Sequence, residues 1–295
     1  MDQWAAFVNY GWSTLMPIHI LTLACPDRPG IVATVAQHLY EVDANIVDNA
    51  QFSDPVSGQF CMRTRFEAPN DAAAIASELR PAIAELHAEF HVRREDSRPR
   101  VLVMVSKIDH CLVDLLQRWR ADELPVTIDM IVSNHRDLED VADAFHVEFR
   151  HIPVTTATKP AAERELRHLL VERSIDLVVL ARYMQILSED LTVHLAGKAI
   201  NIHHSFLPGF KGARPYHQAW ERGVKLIGAT AHFVTGDLDE GPIIDQDVAR
   251  VTHAVSAEQM VVLGKDVERI TLSRAVKAWG EGRVFLLGNR VVVFP

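Results

Sequence analysis

Apolar and polar residues follow two successive patterns along the chain. In the first third, short apolar runs of strand length are separated by stretches in which apolar side chains recur at helical spacing, for example Ile31, Val35 and Leu39. The resulting order, βαββαβ, predicts a ferredoxin-like domain. We expect Pro81 to bend or split the second helix, because proline lacks an N–H and clashes with the preceding turn. The predicted strands span residues 18–25, 45–52, 60–66 and 90–92, and the predicted helices begin near residues 31 and 71.

The remaining two thirds of the chain consist of repeated strand–helix units. Continuous apolar runs between helical patterns are typical of a parallel sheet that is covered on both faces. We therefore predict an α/β fold with a Rossmann-like, mostly parallel sheet, in which ligands bind beyond the carboxyl ends of the strands. The charged run RREDSRPR, at 93–100, separates the two patterns. The expected division is an extension at 1–17, a first domain at 18–95 and a second at 101–295, which closes in a β-hairpin around Gly288.

Composition narrows the classes of function. The 295 residues carry a formal net charge of -9, which argues against nucleic-acid binding, since such surfaces are cationic. The three cysteines show neither a disulfide framework nor a zinc-ligand spacing, which favours a reducing cytoplasmic location. No apolar run reaches the roughly 18–20 residues of a membrane helix. The first 17 residues lack a signal-peptide pattern, and the choice between a native extension and a start at Met16 stays open.

Polar residues that could take part in catalysis follow the apolar segments of the second domain. Asn201 and His203 lie at the end of one predicted strand, and Asp239 follows a later apolar segment. An amide, an imidazole and a carboxylate can bind an oxyanion, transfer a proton and position water, as acyl transfer requires. Singly, each residue also fits a structural role in a turn or in packing. We expect no metal site, because no partner with recognisable spacing accompanies the nearby histidines. These histidines are His203, His204, His217 and His232.

The combination of these segments resembles a known family. Asn-Ile-His followed by Ser-x-Leu-Pro, and later His-Phe-Val-Thr-x-x-Leu-Asp-x-Gly-Pro, are similar to motifs of the folate-dependent formyltransferases. The resemblance covers residues 101–295 and implies a catalytic trio of Asn201, His203 and Asp239. It also implies a pterin cleft along residues 180–188, where each side chain fits core packing equally well. The implied cleft residues are Tyr183, Met184, Ile186 and Leu187, with Val234 and Thr235 on the opposite side.

The loop after the first strand of this domain separates two branches of that family. Glycinamide ribonucleotide transformylases have a glycine-rich loop there, whose N–H groups receive a phosphate. The segment SKIDHC, at 106–111, has no glycine and resembles the deformylase branch instead. The resemblance implies that water accepts the formyl group of 10-formyltetrahydrofolate, giving formate and tetrahydrofolate without a permanently bound cofactor. It further implies that the formate supplies purine synthesis and balances one-carbon pools.

In the first domain, the segment CPDRPGIV, at 25–32, resembles the strand–loop–helix of ACT domains. The resemblance implies regulation by a small effector such as an amino acid, whose carboxylate N–H groups at the helix start would hold. It also implies a homodimer or homotetramer, because ACT units commonly pair edge to edge. A domain that serves dimerisation alone is the alternative. The implied effector residues are Asp27, Gly30, Asn45 and Asn49.

Two other functions stay open from the sequence. One is a formyltransferase that acts on an unrecognised amine, although an acidic chain without an appended tRNA-binding domain does not fit methionyl-tRNA formyltransferase. The other is a folate or amino-acid sensor with a vestigial hydrolytic site, against which the intact trio argues. The expected partners are therefore the folate substrate and water, with no nucleic acid and no membrane.

Overall fold

The computed structural model describes residues 16–207 and 215–295. The chain divides into two compact units, one ending at Ser97 and the other beginning at Arg98. Of the expected extension at 1–17, only Met16 and Pro17 belong to the described residues. No helix in the described part of the chain has the length and hydropathy needed to cross a membrane.

The N-terminal unit confirms the predicted βαββαβ order. Its elements are β1 (Ile18–Pro26), α1 (Ile31–Glu41), β2 (Asn45–Asp54), β3 (Gln59–Glu67), α2 (Ala72–Glu85) and β4 (Glu89–Arg94). The strands form an antiparallel sheet in the order β2-β3-β1-β4. Both helices bury their apolar stripes against the sheet face that carries Leu21, Leu23 and Phe66.

Helix α2 passes through Pro81 as one element, so this proline does not split the helix, and of the two expected effects only a bend stays a prediction. The helix starts at Asp71, whose carboxylate accepts a hydrogen bond from the Ala74 N–H at 2.8 Å. Its inner stripe, which includes Ile75 and Leu79, is fully buried, whereas Pro81 lies on the exposed side. Burial of the stripe therefore outweighs the backbone hydrogen bond that the proline removes.

The C-terminal unit contains the predicted Rossmann-like sheet. Its elements are β5 (Arg100–Val105), α3 (His110–Arg120), β6 (Thr127–Ser133), α4 (Glu139–Phe145), β7 (Glu148–His151), α5 (Lys159–Glu172), β8 (Leu177–Leu180), α6 (Glu189–His194), β9 (Ala199–His203), α7 (Pro215–Glu221), β10 (Leu226–Phe233), β11 (Ile243–Arg250), α8 (Ala257–Gly280), β12 (Val284–Leu287) and β13 (Arg290–Val293). The main sheet has the order β11-β10-β9-β8-β5-β6-β7. Strands β5 to β9 are parallel, and β10 and β11 are antiparallel to their neighbours. Strands β12 and β13 form the expected closing hairpin.

Helices cover both faces of this sheet. One core cluster joins the sheet to α3 and α8, and a second joins it to α5 and α6 on the opposite face. The chain leaves β5 for β6 on one side and returns to β8 on the other, which creates a topological switch between β5 and β8. Parallel sheets bind ligands beyond the carboxyl ends of their strands at such a switch. The fold thus points to the loops that follow β5, β8 and β9.

Replacing Pro81 by alanine should stabilise the N-terminal unit. An interior proline costs a helix roughly 3 kcal/mol, and the change recovers part of this by restoring a hydrogen bond. Alanine also gives the unfolded chain more conformational freedom, which reduces the gain in stability by about 1 kcal/mol. We expect the free energy of unfolding, measured with a denaturant, to rise by about 1–2 kcal/mol. Glu78→Ala, at another exposed position of α2, is the control and should change it by less than about 0.5 kcal/mol. An unchanged or lower stability of Pro81→Ala would contradict this account.

Candidate active site

A cavity of about 590 Å³ opens at the carboxyl ends of β8 and β9. This volume is typical of a small-molecule site. Its lining includes every residue that the sequence assigned to catalysis and to the pterin cleft. The structure therefore brings the two predicted groups together. The assigned residues are Asn201, His203, Asp239, Tyr183, Met184, Ile186, Leu187, Val234 and Thr235.

The predicted trio converges because of strand geometry. Asn201 and His203 are two positions apart on β9, so their side chains leave the same face of the strand. The Nδ1 atom of His203 lies 3.1 Å from Oδ1 of Asp239, at hydrogen-bond distance. The Nε2 atom of His203 is buried and has no hydrogen-bond partner among the described residues. An imidazole held at Nδ1 by a carboxylate thus keeps its other nitrogen for a ligand.

His232 fixes the orientation of the Asn201 amide. Antiparallel pairing of β10 with β9 sets His232 directly opposite Asn201. His232 donates from Nδ1 to the Phe233 carbonyl at 2.8 Å, so its Nε2 can accept from Asn201 Nδ2 at 3.2 Å. Burial lowers the pKa of His232 against the opposing effect of that backbone hydrogen bond, which keeps the ring neutral. One N–H of Asn201 is thereby held, and the other is available to an oxyanion.

The loop that carries Asp239 is held against β10 by a close backbone approach. A Cβ atom at Gly241 would lie 1.7 Å from the Phe233 carbonyl oxygen, so only glycine fits there. Asp239 itself has a φ of 58°, in the left-handed region that aspartate tolerates better than most residues. Burial opposes ionisation of Asp239, but its hydrogen bond from His203 and the neighbouring imidazoles lower its pKa overall. The carboxylate is therefore charged at neutral pH.

The loop after β8 presents apolar side chains on a fixed backbone. The Met184 N–H donates to Ser106 Oγ at 3.0 Å, and that hydroxyl donates to Asn134 Oδ1 at 2.7 Å. Met184 and Ile186 are 56% and 64% exposed, although both side chains are large and apolar. Burial, followed by the charge of Glu163, raises the pKa of Tyr183 to about 12, so its hydroxyl stays neutral. Exposed apolar side chains on an anchored loop suit a flat, partly apolar ligand.

A second polar cluster lines the cavity, and the sequence did not reveal it. Glu268, on α8, is 1% exposed and accepts hydrogen bonds from Tyr216 Oη at 2.7 Å and His110 Nε2 at 2.8 Å. The Nε atom of Arg182 lies 3.5 Å from the same carboxylate. Burial opposes ionisation of Glu268, but these contacts outweigh it and lower the pKa of the carboxyl group. We call Glu268, Tyr216, His110 and Arg182 the Glu268 cluster.

Gly264 makes room for this cluster. A Cβ atom there would lie 2.1 Å from the Tyr216 ring, which crosses α8 one turn before Glu268. A glycine inside a helix costs about 1 kcal/mol relative to alanine. The Tyr216 ring, which occupies the space that a side chain would take, explains the glycine at this position. Among the described residues, the only group with metal-ligand spacing is His110, Cys111 and Glu268. Both Glu268 oxygens are already held by side chains of the cluster.

The structure does not bring the four predicted effector residues together within one copy of the chain. Asp27 and Gly30 follow the end of β1. Asn45 and Asn49, on β2, pair with the β3 residues that also pair with Ile18 and Leu21, near the beginning of β1. At about 3.4 Å per residue, Asn49 lies roughly 17 Å back along the sheet from the end of β1. The side chain of Asn45 contacts Glu67, and that of Asn49 accepts from Thr64. Within one copy of the chain the register of β3 thus separates the two pairs, and the assignment of all four residues to one effector site stays a prediction.

Comparison with known proteins assigns each unit to a family. A model of the formyl transferase family matches residues 99–276. A model of the ACT domain matches residues 19–84. Both matches fall on the segments whose motifs resembled these families in the sequence.

Relatives match over nearly the whole chain. The formyltetrahydrofolate deformylase of Corynebacterium sp. (strain P-1) is 47% identical over 278 residues, which cover 93% of this chain and 97% of that protein. The crystal structure of formyltetrahydrofolate deformylase from Burkholderia mallei is 49% identical, with a TM-score of 0.92, and covers 95% of this chain and 100% of that one. Glycinamide ribonucleotide transformylase 1 from Symbiobacterium toebii is 30% identical, with a TM-score of 0.62, over 67% of this chain and 95% of its own.

Acidification should destabilise the folded protein through His204. Burial, followed by the charge of Arg182, lowers the pKa of His204 to about 4, against the usual 6.5 of a histidine side chain. Above pH 6.5 both the folded and the unfolded states hold it neutral; below that pH the unfolded state binds the proton first. Since one pKa unit corresponds to about 1.4 kcal/mol, the free energy of unfolding should fall by on the order of 3 kcal/mol between pH 6.5 and 4.

The measurement is denaturant unfolding across this pH range, compared with His204→Gln. The variant lacks the titrating ring, so its stability should fall less steeply between pH 6.5 and 4, while other acidic and basic groups contribute equally to both proteins. Parallel curves for the two proteins would show that His204 is not held neutral by burial.

Proposed function

The chain belongs to the folate-dependent formyltransferase family and, within it, to the formyltetrahydrofolate deformylases, and we propose that Asn201, His203 and Asp239 perform its hydrolysis of 10-formyltetrahydrofolate. The contact of 3.1 Å between His203 and Asp239, beside the oriented amide of Asn201, carries this proposal. These are the three groups that hydrolysis of a formyl–nitrogen bond requires, and they lie at the carboxyl edge of the sheet.

Asp239 orients the attacking water. Its carboxylate accepts a hydrogen bond from the water and takes one proton as the water oxygen bonds to the formyl carbon. Its lowered pKa makes it a weak base, so positioning is the larger part of its role. The contact with His203 gives the accepted proton a route onward, because the imidazole lies at hydrogen-bond distance.

Asn201 and His203 stabilise the tetrahedral intermediate. The free N–H of Asn201 donates to the oxyanion, and the Nε2–H of protonated His203 donates beside it. When the intermediate collapses, the carbon–nitrogen bond breaks and the folate nitrogen takes the proton from His203. Asp239 then passes the proton that it took from water to His203, which restores both groups, and the formic acid ionises to formate, so the reaction releases one proton overall.

The folate binds along the loop after β8 in this proposal. Met184 and Ile186 offer exposed apolar surface to the pterin, while Tyr183 and Leu187 support the loop from the core. Val234 and Thr235 close the opposite side, and the Thr235 hydroxyl donates to the Asp237 carbonyl at 3.1 Å. Backbone groups of both loops are then available to the polar edge of the pterin. The formate released would supply purine synthesis and balance one-carbon pools.

The N-terminal unit is proposed to regulate this reaction. The loop at Asp27 and the α1 start at Gly30, whose φ is 95°, remain a candidate site for a small amino acid, because N–H groups at a helix start attract a carboxylate. Strand β2 lies at the sheet edge with Val47 and Phe52 45% and 42% exposed, which favours pairing with a second copy into a homodimer or homotetramer.

The hydrolysis is tested by incubating the protein with 10-formyltetrahydrofolate in a buffer that contains no amine, and measuring formate and tetrahydrofolate. We expect equal amounts of both products. Asn201→Ala and Asp239→Asn should each lower the rate by about a hundredfold or more, as loss of an oxyanion donor or of the water-positioning group does. Asp143→Asn, on the exposed face of α4, is the control and should keep the wild-type rate. A near-wild-type rate in either site variant would remove that residue from the mechanism.

Regulation is tested by adding each free amino acid to the formate assay. We expect at least one of them to change the wild-type rate, and Asp27→Ala to lose that response while it keeps the rate measured without amino acid. If no amino acid changes the rate, and sedimentation shows an oligomer, the N-terminal unit serves self-association instead.

A further inference from the structure

The cavity has two chemically different halves, one on each side of the sheet edge. The apolar half is formed by Tyr183, Leu187 and Val234, which pack on the core cluster of the α5 and α6 face. The polar half is formed by the Glu268 cluster and His204, because α3, α7 and α8 contribute His110, Tyr216 and Glu268 from the opposite face. The trio of Asn201, His203 and Asp239 lines the same cavity.

Arg182 occupies the polar half at a cost in backbone strain. Its φ of 66° lies in the left-handed region, which an arginine adopts far less readily than a glycine. Its side chain is nevertheless 9% exposed, and the Nε atom has no hydrogen-bond partner among the described residues. A buried guanidinium on a strained backbone indicates that the side chain itself is needed at this place.

The Glu268 carboxylate keeps this arginine in position. Its side chain is 2% exposed, and Arg182 lies next to it, so withdrawing the guanidinium would leave a buried negative charge with less compensation. Tyr216 and His110 hold the two carboxylate oxygens from other helices, which prevents Glu268 from following the arginine. Lys265, one turn earlier on α8, adds a second positive charge to the lining. The polar half is thus lined by a charged network whose side chains hold one another in place.

We propose that Arg182, fixed by Glu268, is a specificity-determining residue that fills the space an amine acceptor would need, so that only water reaches the formyl carbon. The inference rests on the proposed function. A folate in the apolar half leaves the polar half as the remaining approach to the trio, and Arg182 lines that approach. In this proposal the guanidinium narrows it, so that water passes and an amine does not. A protonated amine would also meet the charges of Arg182 and Lys265, which repel it.

Removing the side chain should therefore permit formyl transfer to an amine. In that reaction the nitrogen of the amine bonds to the formyl carbon, the bond to the folate nitrogen breaks, and one proton moves from the amine to the folate nitrogen. No oxidant, reductant or further reactant is needed. Glycine at position 182 also relieves the positive φ, so Arg182→Gly removes strain together with bulk.

The experiment supplies 10-formyltetrahydrofolate, labelled in the formyl carbon, together with glycinamide as the probe amine. Formylglycinamide and formate are measured for the wild type and for Arg182→Gly. We expect formate alone from the wild type and a ratio of formylglycinamide to formate at least about tenfold higher from the variant. Arg182→Lys keeps the charge and most of the bulk and should resemble the wild type. Arg182→Gly combined with Asp239→Asn measures transfer that does not use the site.

Arg182→Gly leaves Glu268 without its nearby cation, which can prevent folding. The double variant Arg182→Gly/Glu268→Gln removes that charge and should show the same altered product ratio. An unchanged ratio in a folded, folate-binding variant would overturn the proposal, and so would a variant that forms neither product, because Arg182 would then belong to the catalytic machinery. Failure of the wild type to release formate without amine would instead contradict the proposed function.

Discussion

The antiparallel pairing of β10 with β9 is the constraint on which the site depends. It sets His232 opposite Asn201 and Thr230 opposite His203, so one register determines both the amide that faces the substrate and the histidine that orients it. A shift by one residue would turn each side chain to the other face of the sheet. On its other side, β10 also carries the Gly241 approach, because that glycine packs on the Phe233 carbonyl at the end of the strand. The position of Asp239 therefore follows from a strand that contains none of the trio.

Helix α8 adds a second constraint, since it ties the catalytic edge to the core. Its apolar stripe packs on the sheet, while Gly264 and Glu268 on one turn receive Tyr216 and anchor the polar half of the cavity. Packing and chemistry are coupled at this turn. A substitution that disturbs the stripe would also move the carboxylate that holds Arg182.

Local patterns in the sequence were sufficient for the fold class, because continuous apolar strands lie within short segments. The two motifs are also short, and they grouped three residues that the structure brings together in one cavity. Contacts between distant segments were not predictable in this way. His110 and Glu268 are separated by 158 positions, and nothing in the helical pattern of α8 reveals that a buried carboxylate will meet an imidazole from α3. The separation of the predicted effector residues within one copy of the chain was not predictable for a related reason. Asn45 and Asn49 lie near Asp27 in the chain, but their distance in space depends on pairing through β3, which no local pattern encodes.

All three cysteines of the chain are buried, at 2%, 0% and 0% exposure for Cys25, Cys61 and Cys111. Burial raises the pKa of each thiol, so alkylation requires the surrounding structure to open first. Two of these thiols belong to the N-terminal unit, and Cys111 lies beneath the Glu268 cluster in the C-terminal unit. Each unit thus contains its own buried thiol probe, and the rate at which each thiol is labelled reports the local opening of the structure around it.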